Sequence, residues 1–337
     1  MVSKVHGTWR KVIKIAGIAL SRRGGGIVQP LAVSCATAGE CSVVGYFQGG
    51  VSSPFRAFIT SKVHGIWHAA TKVPGLNALD HGKTASLSSV SCTSPGNCSA
   101  GGAYAVSAIA GQAFVVAERK GIWHNAITVP GITGLNHGRA SVTGISCVSP
   151  GNCSAIGDYQ DSTGLTQVFV VNRVKGTWHK AIAIPGSIGL NLGGFAAAAS
   201  VSCASAGNCS AGGTYTDSSK RNQAFIVNEV NGTWHNAVKV PGTAALAQGG
   251  MAGLNSVSCA SVGNCSAGGY YKSGAFVVNE VNGRWHNAIK VSGTVAVSQI
   301  SVAGVETVSC AAPGDCSAGG TFRSAQDPRG HVEVFVV

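Results

Sequence analysis

Short apolar runs of strand character follow one another along this chain, each closed by a cluster of Gly, Asn, Ser or Pro, with no helical period between them. The stretch Ser256 to Val291, SVSCASVGNCSAGGYYKSGAFVVNEVNGRWHNAIKV, shows the pattern most cleanly and predicts four short strands. Strand a ends at Cys259 and strand b begins at Cys265, with a Gly/Asn hairpin loop between. Strand c is Ala275 to Val281, and Asn282-Gly283 turns the chain into strand d, Arg284 to Val291.

The pattern recurs. Tryptophan falls at Trp9, Trp67, Trp123, Trp178, Trp234 and Trp285, in steps of 58, 56, 55, 56 and 51 residues. Cysteine pairs fall at Cys35/Cys41, Cys92/Cys98, Cys147/Cys153, Cys203/Cys209, Cys259/Cys265 and Cys310/Cys316, which uses all 12 cysteines. Four strands per repeat of this length predict an all-β, six-bladed β-propeller of four-stranded blades, residues 1–337 forming a single domain. The repeats run approximately 10–67, 68–123, 124–178, 179–234, 235–285 and 286–337 plus 1–9. The last strand is of type c, whereas Met1 opens just before a Gly-Thr-Trp of type d. N- and C-terminal strands are therefore expected to share one blade and close the ring, which leaves no open end to cap. A β-solenoid is the alternative architecture.

Five residues between paired cysteines, with no repeated histidine beside them, fit a local disulfide across each a–b hairpin better than zinc. Six such bridges imply an oxidising compartment, secreted or cell-surface. Met1 to Leu20 spreads Lys4, Arg10, Lys11 and Lys14 along its length and does not read as a signal peptide, so the chain is expected to be a mature or excised domain. No run of 18 apolar residues occurs, so no transmembrane segment is expected.

Residues repeated in every copy read first as packing between blades. These are the Trp of strand d, the Phe of strand c (Phe58, Phe114, Phe169, Phe225, Phe276, Phe335) and the aromatic six residues beyond the second Cys (Phe47, Tyr104, Tyr159, Tyr215, Tyr271, Phe322). The histidine after Trp (His68, His124, His179, His235, His286) is expected on a solvent-facing edge, and Glu118, Glu229 and Glu280 are expected to serve structure. Gly-Gly pairs such as Gly212-Gly213 and Gly268-Gly269 are expected to permit close blade packing.

Diversity is confined to the b–c and d–a connections, which emerge on one face of an up-and-down blade. Candidate ligand-binding residues there are Arg22, Arg23, Arg139, Asp161, Asp217, Lys220, Arg221 and Arg323, with Tyr104, Tyr159, Tyr215 and Tyr271 as sugar-stacking rings. The formal charge of +12 favours an anionic partner. Nucleic acid is disfavoured, because the basic residues are dispersed and the disulfides argue against a cytosolic setting. No catalytic motif, metal cluster or cofactor signature is present, and a monomer is expected.

The run Ser-Val-Ser-Cys…Gly-Asn-Cys-Ser-Ala-Gly-Gly-x-Tyr, followed by Ala-Phe-Val-Val-x-Glu-Val-Asn-Gly-x-Trp, resembles repeats of uncharacterised secreted bacterial propeller proteins over the whole chain. More remotely, Val230-Asn231-Gly232-Thr233-Trp234 is similar to the end of the Asp-box hairpin of sialidase-type propellers, but lacks its Asp and is one residue short from Gly to Trp. The sialidase arginine cluster and Tyr/Glu pair are not seen, so that activity is not carried over. The expectation is a non-enzymatic extracellular scaffold binding glycan or anionic cell-envelope polymer through its variable loops. A protein-interaction propeller and a glycoside hydrolase or sialidase-like enzyme are the alternatives.

Overall fold

The computed structural model describes residues 4–5, 8–18, 25–294, 303–323 and 332–337. Six antiparallel sheets follow one another along the chain, each opening with three long strands, a, b and c. In the first sheet these are Ile27–Thr37, Glu40–Gln48 and Arg56–Val63, and in the second Ala85–Ser94, Asn97–Ala105 and Gly111–Arg119. The third has Ala140–Ser149, Asn152–Gln160 and Thr166–Val174, and the fourth Ala196–Ser205, Asn208–Thr216 and Asn222–Val230. Ala252–Ser261, Asn264–Tyr271 and Gly274–Val281 form the fifth, and Gly304–Ala312, Asp315–Arg323 and Val332–Val336 the three-stranded sixth. Lys4–Val5 and Thr8–Trp9 pair as a separate two-stranded piece. The chain divides into two compact units, Met1–Thr128 with the first two sheets and Val129–Val337 with the other four.

Strand d is not continuous. In the fifth sheet it is Arg284–Trp285 and then Ile289–Lys290, both paired to strand c. The gap has a physical cause: Ala288 N–H donates to the Pro241 carbonyl of the preceding repeat at 2.8 Å, which takes it out of its own ladder. Ala237 to Pro185 (2.7 Å) and Ala126 to Pro74 (2.8 Å) repeat the arrangement. The glycine after each proline, Gly75, Gly131, Gly186 or Gly242, takes a positive φ and begins a short helical turn that the strand-only reading did not foresee.

All six expected disulfides are present: Cys35–Cys41, Cys92–Cys98, Cys147–Cys153, Cys203–Cys209, Cys259–Cys265 and Cys310–Cys316. Each joins directly paired residues of strands a and b. They are not six copies of one environment, however, as a strict repeat would suggest. Cys98, Cys153, Cys209 and Cys265 are buried, whereas Cys41 and Cys316 are only half-buried. Cys41 belongs to the first of the six sheets along the chain, residues 27–63. In the sixth sheet strand c pairs as far as Ala318, through Val337, whereas Cys209 faces Glu229 and Cys153 faces Arg173.

The hairpin is tighter than the sequence suggests: strands run past the cysteines to Ser261 and from Asn264, leaving a two-residue turn. The Gly-Gly pair serves two purposes. A Cβ on Gly268 would strike Val305 of the next sheet, as expected of close packing. Its neighbour Gly269 faces inward, where a bulge between Leu254 and Ser256 drives the Gly253 carbonyl against it.

Within each unit, strand a of one sheet packs on strands a, b and c of the sheet before it. The Ser-Val-Ser-Cys motif supplies polar staples there. Ser202 Oγ accepts the Cys259 N–H at 2.9 Å and Ser200 Oγ the Val257 N–H at 3.0 Å, with Ser34 and Cys92 (2.9 Å) and Ser258 and Cys310 (3.0 Å) equivalent. Between the staples, Phe114, Phe169, Phe225 and Phe276 are fully buried.

Candidate functional site

The variable loops prove to be organised from within. Asp161 Oδ1 accepts the Thr163 and Leu165 N–H groups (2.9 and 3.1 Å) and the Thr163 hydroxyl, while Oδ2 accepts Gln167 Nε2 at 3.0 Å. Asp217 repeats this with Ser219, Arg221 and Gln223. Desolvation opposes ionisation of both carboxyls, yet these hydrogen bonds, with the Arg221 charge beside Asp217, hold them below the usual carboxylate range. Their lone pairs are spent on their own loops. Lys220 Nζ donates to the Gly193 carbonyl at 2.9 Å and Arg221 to that of Gly249, so both brace neighbouring loops. Arg139 is exposed. Arg22, Arg23 and the side chain of Arg323 lie outside the described residues.

The tyrosines correct an expectation. Tyr104, Tyr159, Tyr215 and Tyr271 are buried and offer no ring face to a sugar. Their place on strand b turns them inward, where Tyr104 meets Phe114 edge-on at 6.2 Å and bonds Thr128 Oγ1 at 2.7 Å. They act as packing residues, with Phe114, Phe169, Phe225 and Phe276.

Open space lies instead at the rim formed by the a–b and c–d turns. Successive sheets leave a cleft of about 600 Å³ between the third and fourth, 520 Å³ between the first and second, and 460 Å³ between the fifth and sixth. Their walls repeat: a disulfide, the serine after its second cysteine, and the strand c residue five before Trp. That last position holds Lys62, Glu118, Arg173, Glu229 and Glu280, all buried. The half-buried Cys41 and Cys316 line two of these clefts, so their bridges form wall as well as staple. Ser154 lies 3.3 Å from the sulfur of Cys209 in the next sheet, Ser42 3.6 Å from that of Cys98, and Ser266 3.2 Å from that of Cys316.

The floor of the cleft between third and fourth sheets is a closed polar network. Asn172 Nδ2 donates to Glu229 Oε1, and Ser154 Oγ donates to Glu229 Oε2 at 3.4 Å. Trp234 Nε1 in turn donates to Asn172 Oδ1 at 3.2 Å. Asn228, Ser210, Glu280 and Trp285 build the same network between the fourth and fifth sheets. Burial raises the pKa of Glu229 and Glu280, and the Asn and Ser bonds oppose that rise. These two glutamates serve structure, as expected. Glu118 differs: burial, with the Glu40 charge nearby, raises it to about 7, and no hydrogen bond opposes the rise. Asp158 on strand b of the third sheet is also pushed by burial to about 7, against one bond from the Ala198 N–H at 2.7 Å.

The repeated histidines are exposed, and His68 and His179 stand on the cleft rims. Among the described residues, no three His, Cys, Asp or Glu side chains gather as a metal site, and no helix is long and apolar enough to cross a membrane. Comparing the repeats column by column could have found the clefts, because the position five before Trp is charged in these copies yet changes sign among Lys62, Glu118, Arg173, Glu229 and Glu280.

No family model matches this chain, nor does any curated protein. Among solved structures it is similar to a protein of unknown function from Dyadobacter fermentans, at 11% identity over 95% of this chain and 96% of that one, with a TM-score of 0.50. The fold is a β-propeller. Weaker likenesses include the fucose-recognising six-bladed lectin of Aleuria aurantia (10% identity, 90% of each chain, TM-score 0.42). Another is Trypanosoma rangeli sialidase (11% identity, 99% of this chain and 56% of that one, TM-score 0.44).

Proposed function

We propose that the chain is a non-enzymatic, extracellular recognition scaffold, closed as a six-bladed ring, that binds glycan or an anionic cell-envelope polymer. The observation that carries this reading is the repetition of one cleft with the same lining. Each lies within the volume range of small-ligand pockets, and those between the third and fourth and the first and second sheets carry Lys180 with His179 and Lys120 with His64 on their rims. Equivalent sites repeated along one chain suit a ligand that itself repeats, since linked sites multiply weak affinities. The clefts are favoured over the variable loops because Asp161, Asp217, Lys220 and Arg221 of those loops already have partners within the fold.

An array of glycans and cell-wall polymers, probed with the full chain at low and high salt, tests this. Binding should weaken with salt and be lost in His179→Ala/Lys180→Ala, but persist in Arg139→Ala/Lys220→Ala. The reverse pattern would move the ligand to the variable loops. No binding to any saccharide or polyanion would overturn the reading.

A second reading has one specific support: the cleft between first and second sheets brings two carboxyls together, Glu40 and the neutral-range Glu118, as acid–base hydrolysis requires. Saccharide turnover that disappears in Glu118→Gln would establish it.

A further inference from the structure

The cleft between the first and second sheets lacks one group that its counterparts possess. Between the third and fourth sheets, and again between the fourth and fifth, an asparagine carboxamide bridges the two walls. Its Nδ2 donates to a buried glutamate, and its Oδ1 accepts a tryptophan indole N–H at 3.2 or 3.0 Å. In the first sheet that position is Ser61. Its hydroxyl lies 3.1 Å from Ser42 Oγ, and no bond spans the cleft from it. Two groups that the carboxamide would satisfy are therefore left open. Glu118, only 6% exposed, accepts no hydrogen bond among the described residues, and Trp123 Nε1 is buried without a partner. Both line the cleft of about 520 Å³.

Buried polar groups without partners are rare in folded proteins, and each such group calls for a reason. Here the two share one reason. The floor lacks an N–H donor facing a carboxyl and, beside it, a carbonyl facing an indole N–H. Those two groups at that separation are an amide. Resting on the saccharide reading above, we propose that this cleft binds the 2-acetamido group of an amino sugar, its N–H donating to Glu118 and its carbonyl accepting from Trp123. Ile59, on the cleft wall, gives the acetyl methyl an apolar neighbour. The His64, His68 and Lys120 side chains on the rim face the ring hydroxyls. A sugar is favoured over a polypeptide because the cleft, about 520 Å³, has the volume of a small-molecule pocket.

Calorimetric titration of the full chain tests the assignment with matched probes, chitotetraose against cellotetraose and N-acetylgalactosamine against galactose. The wild type should prefer an acetamido member over its hydroxyl counterpart by tenfold or more. Ser61→Asn, which installs the chain's own carboxamide, should abolish that preference while leaving the unfolding midpoint unchanged or higher. Trp123→Phe, which removes only the indole donor among the polar contacts, should reduce it. A preference that survives Ser61→Asn overturns the inference. Equal binding of both members of each pair also overturns it but leaves the saccharide reading standing, whereas no binding to these or any arrayed saccharide removes both. Tighter binding of an N-acetyl-asparagine amide than of any sugar would reassign the cleft to a peptide and overturn the sugar assignment.

Discussion

An unpaired carboxyl inside a protein makes stability depend on pH, and Glu118 is such a group. Desolvation, with the Glu40 charge adding to it, raises its pKa from 4.5 to about 7. The folded chain therefore keeps this proton to a higher pH than the unfolded chain does. Between about pH 4.5 and 7 the folded state binds more protons, so stability falls as pH rises through that window and the full penalty is present above it. The loss is at most about 3 kcal/mol. Glu118→Gln should flatten this part of the profile and be more stable than the wild type at pH 8, as read by urea unfolding at stepped pH. Glu40, Lys62, Lys120, His64 and His68 share the cleft, and Asp158 titrates elsewhere in the same range, but all are present in both proteins. Parallel profiles for the two proteins would show that Glu118 titrates as it would in water. Asp161 and Asp217 carry the opposite sign, since bonds within their loops hold them ionised.

Single elements explain why the repeat tolerates so few changes. The c–d turn needs two consecutive left-handed residues. Asn231-Gly232 and Asn282-Gly283 supply them, whereas His64, Lys120 and Lys175 hold φ of 48°, 50° and 48° ahead of their glycines. Asparagine accepts that conformation more readily than lysine. Lys120→Asn and Lys175→Asn should therefore each stabilise by some tenths to about 1 kcal/mol in thermal unfolding. A destabilised variant would mean that the lysine side chain does more than cap the turn. Behind each turn stands a disulfide, and opening one with Cys203→Ser/Cys209→Ser should cost about 2 kcal/mol. Denaturant midpoints identical to the wild type would show that paired strands alone hold the hairpin.

The contrast between these elements and the clefts shows what the sequence makes legible. Cys-x5-Cys pairs and evenly spaced tryptophans declare the repeat because covalent bridges and large rings leave few alternatives. Spacing names the partners of Cys41 and Cys316 but not their partial exposure, which neighbouring strands decide. The broken strand d was hidden, since Ala288 leaves its ladder only because the Pro241 carbonyl of another repeat accepts its N–H. The Ser-Val-Ser-Cys serines looked like ordinary strand residues for the same reason, their partners lying in the next sheet. The candidate cleft was harder still. Glu118 occupies the same repeat position as Glu229 and Glu280, and the difference sits across the cleft, where Ser61 replaces an asparagine. The tyrosines misled because a recurring aromatic fits a sugar platform and a packing residue equally well until its burial is known.

At the scale of the whole molecule, the closed ring proposed above makes a prediction about two exposed apolar positions. Val33 on strand a of the first sheet is 62% exposed, whereas Val90, Val201, Val257 and Val308 at the same repeat position are 5–9% exposed. Val334 on strand c of the sixth sheet is 81% exposed, against 0% for Ala113, Ala224 and Ala275. Within each unit, strand a of one sheet covers strands b and c of its predecessor. In the closed ring proposed above, Val33 and Val334 would each occupy a core position. Val33→Asp should then destabilise as severely as Val257→Asp, by about 3 kcal/mol or more, because either variant buries an unpaired charge. In an open chain Val33→Asp lies on the surface and changes stability by no more than about 0.5 kcal/mol. Urea unfolding separates the two outcomes, and a double-mutant cycle between Val33→Ala and Val334→Ala identifies the partner. Coupling beyond about 0.5 kcal/mol places the two residues in contact, whereas simple additivity leaves them apart.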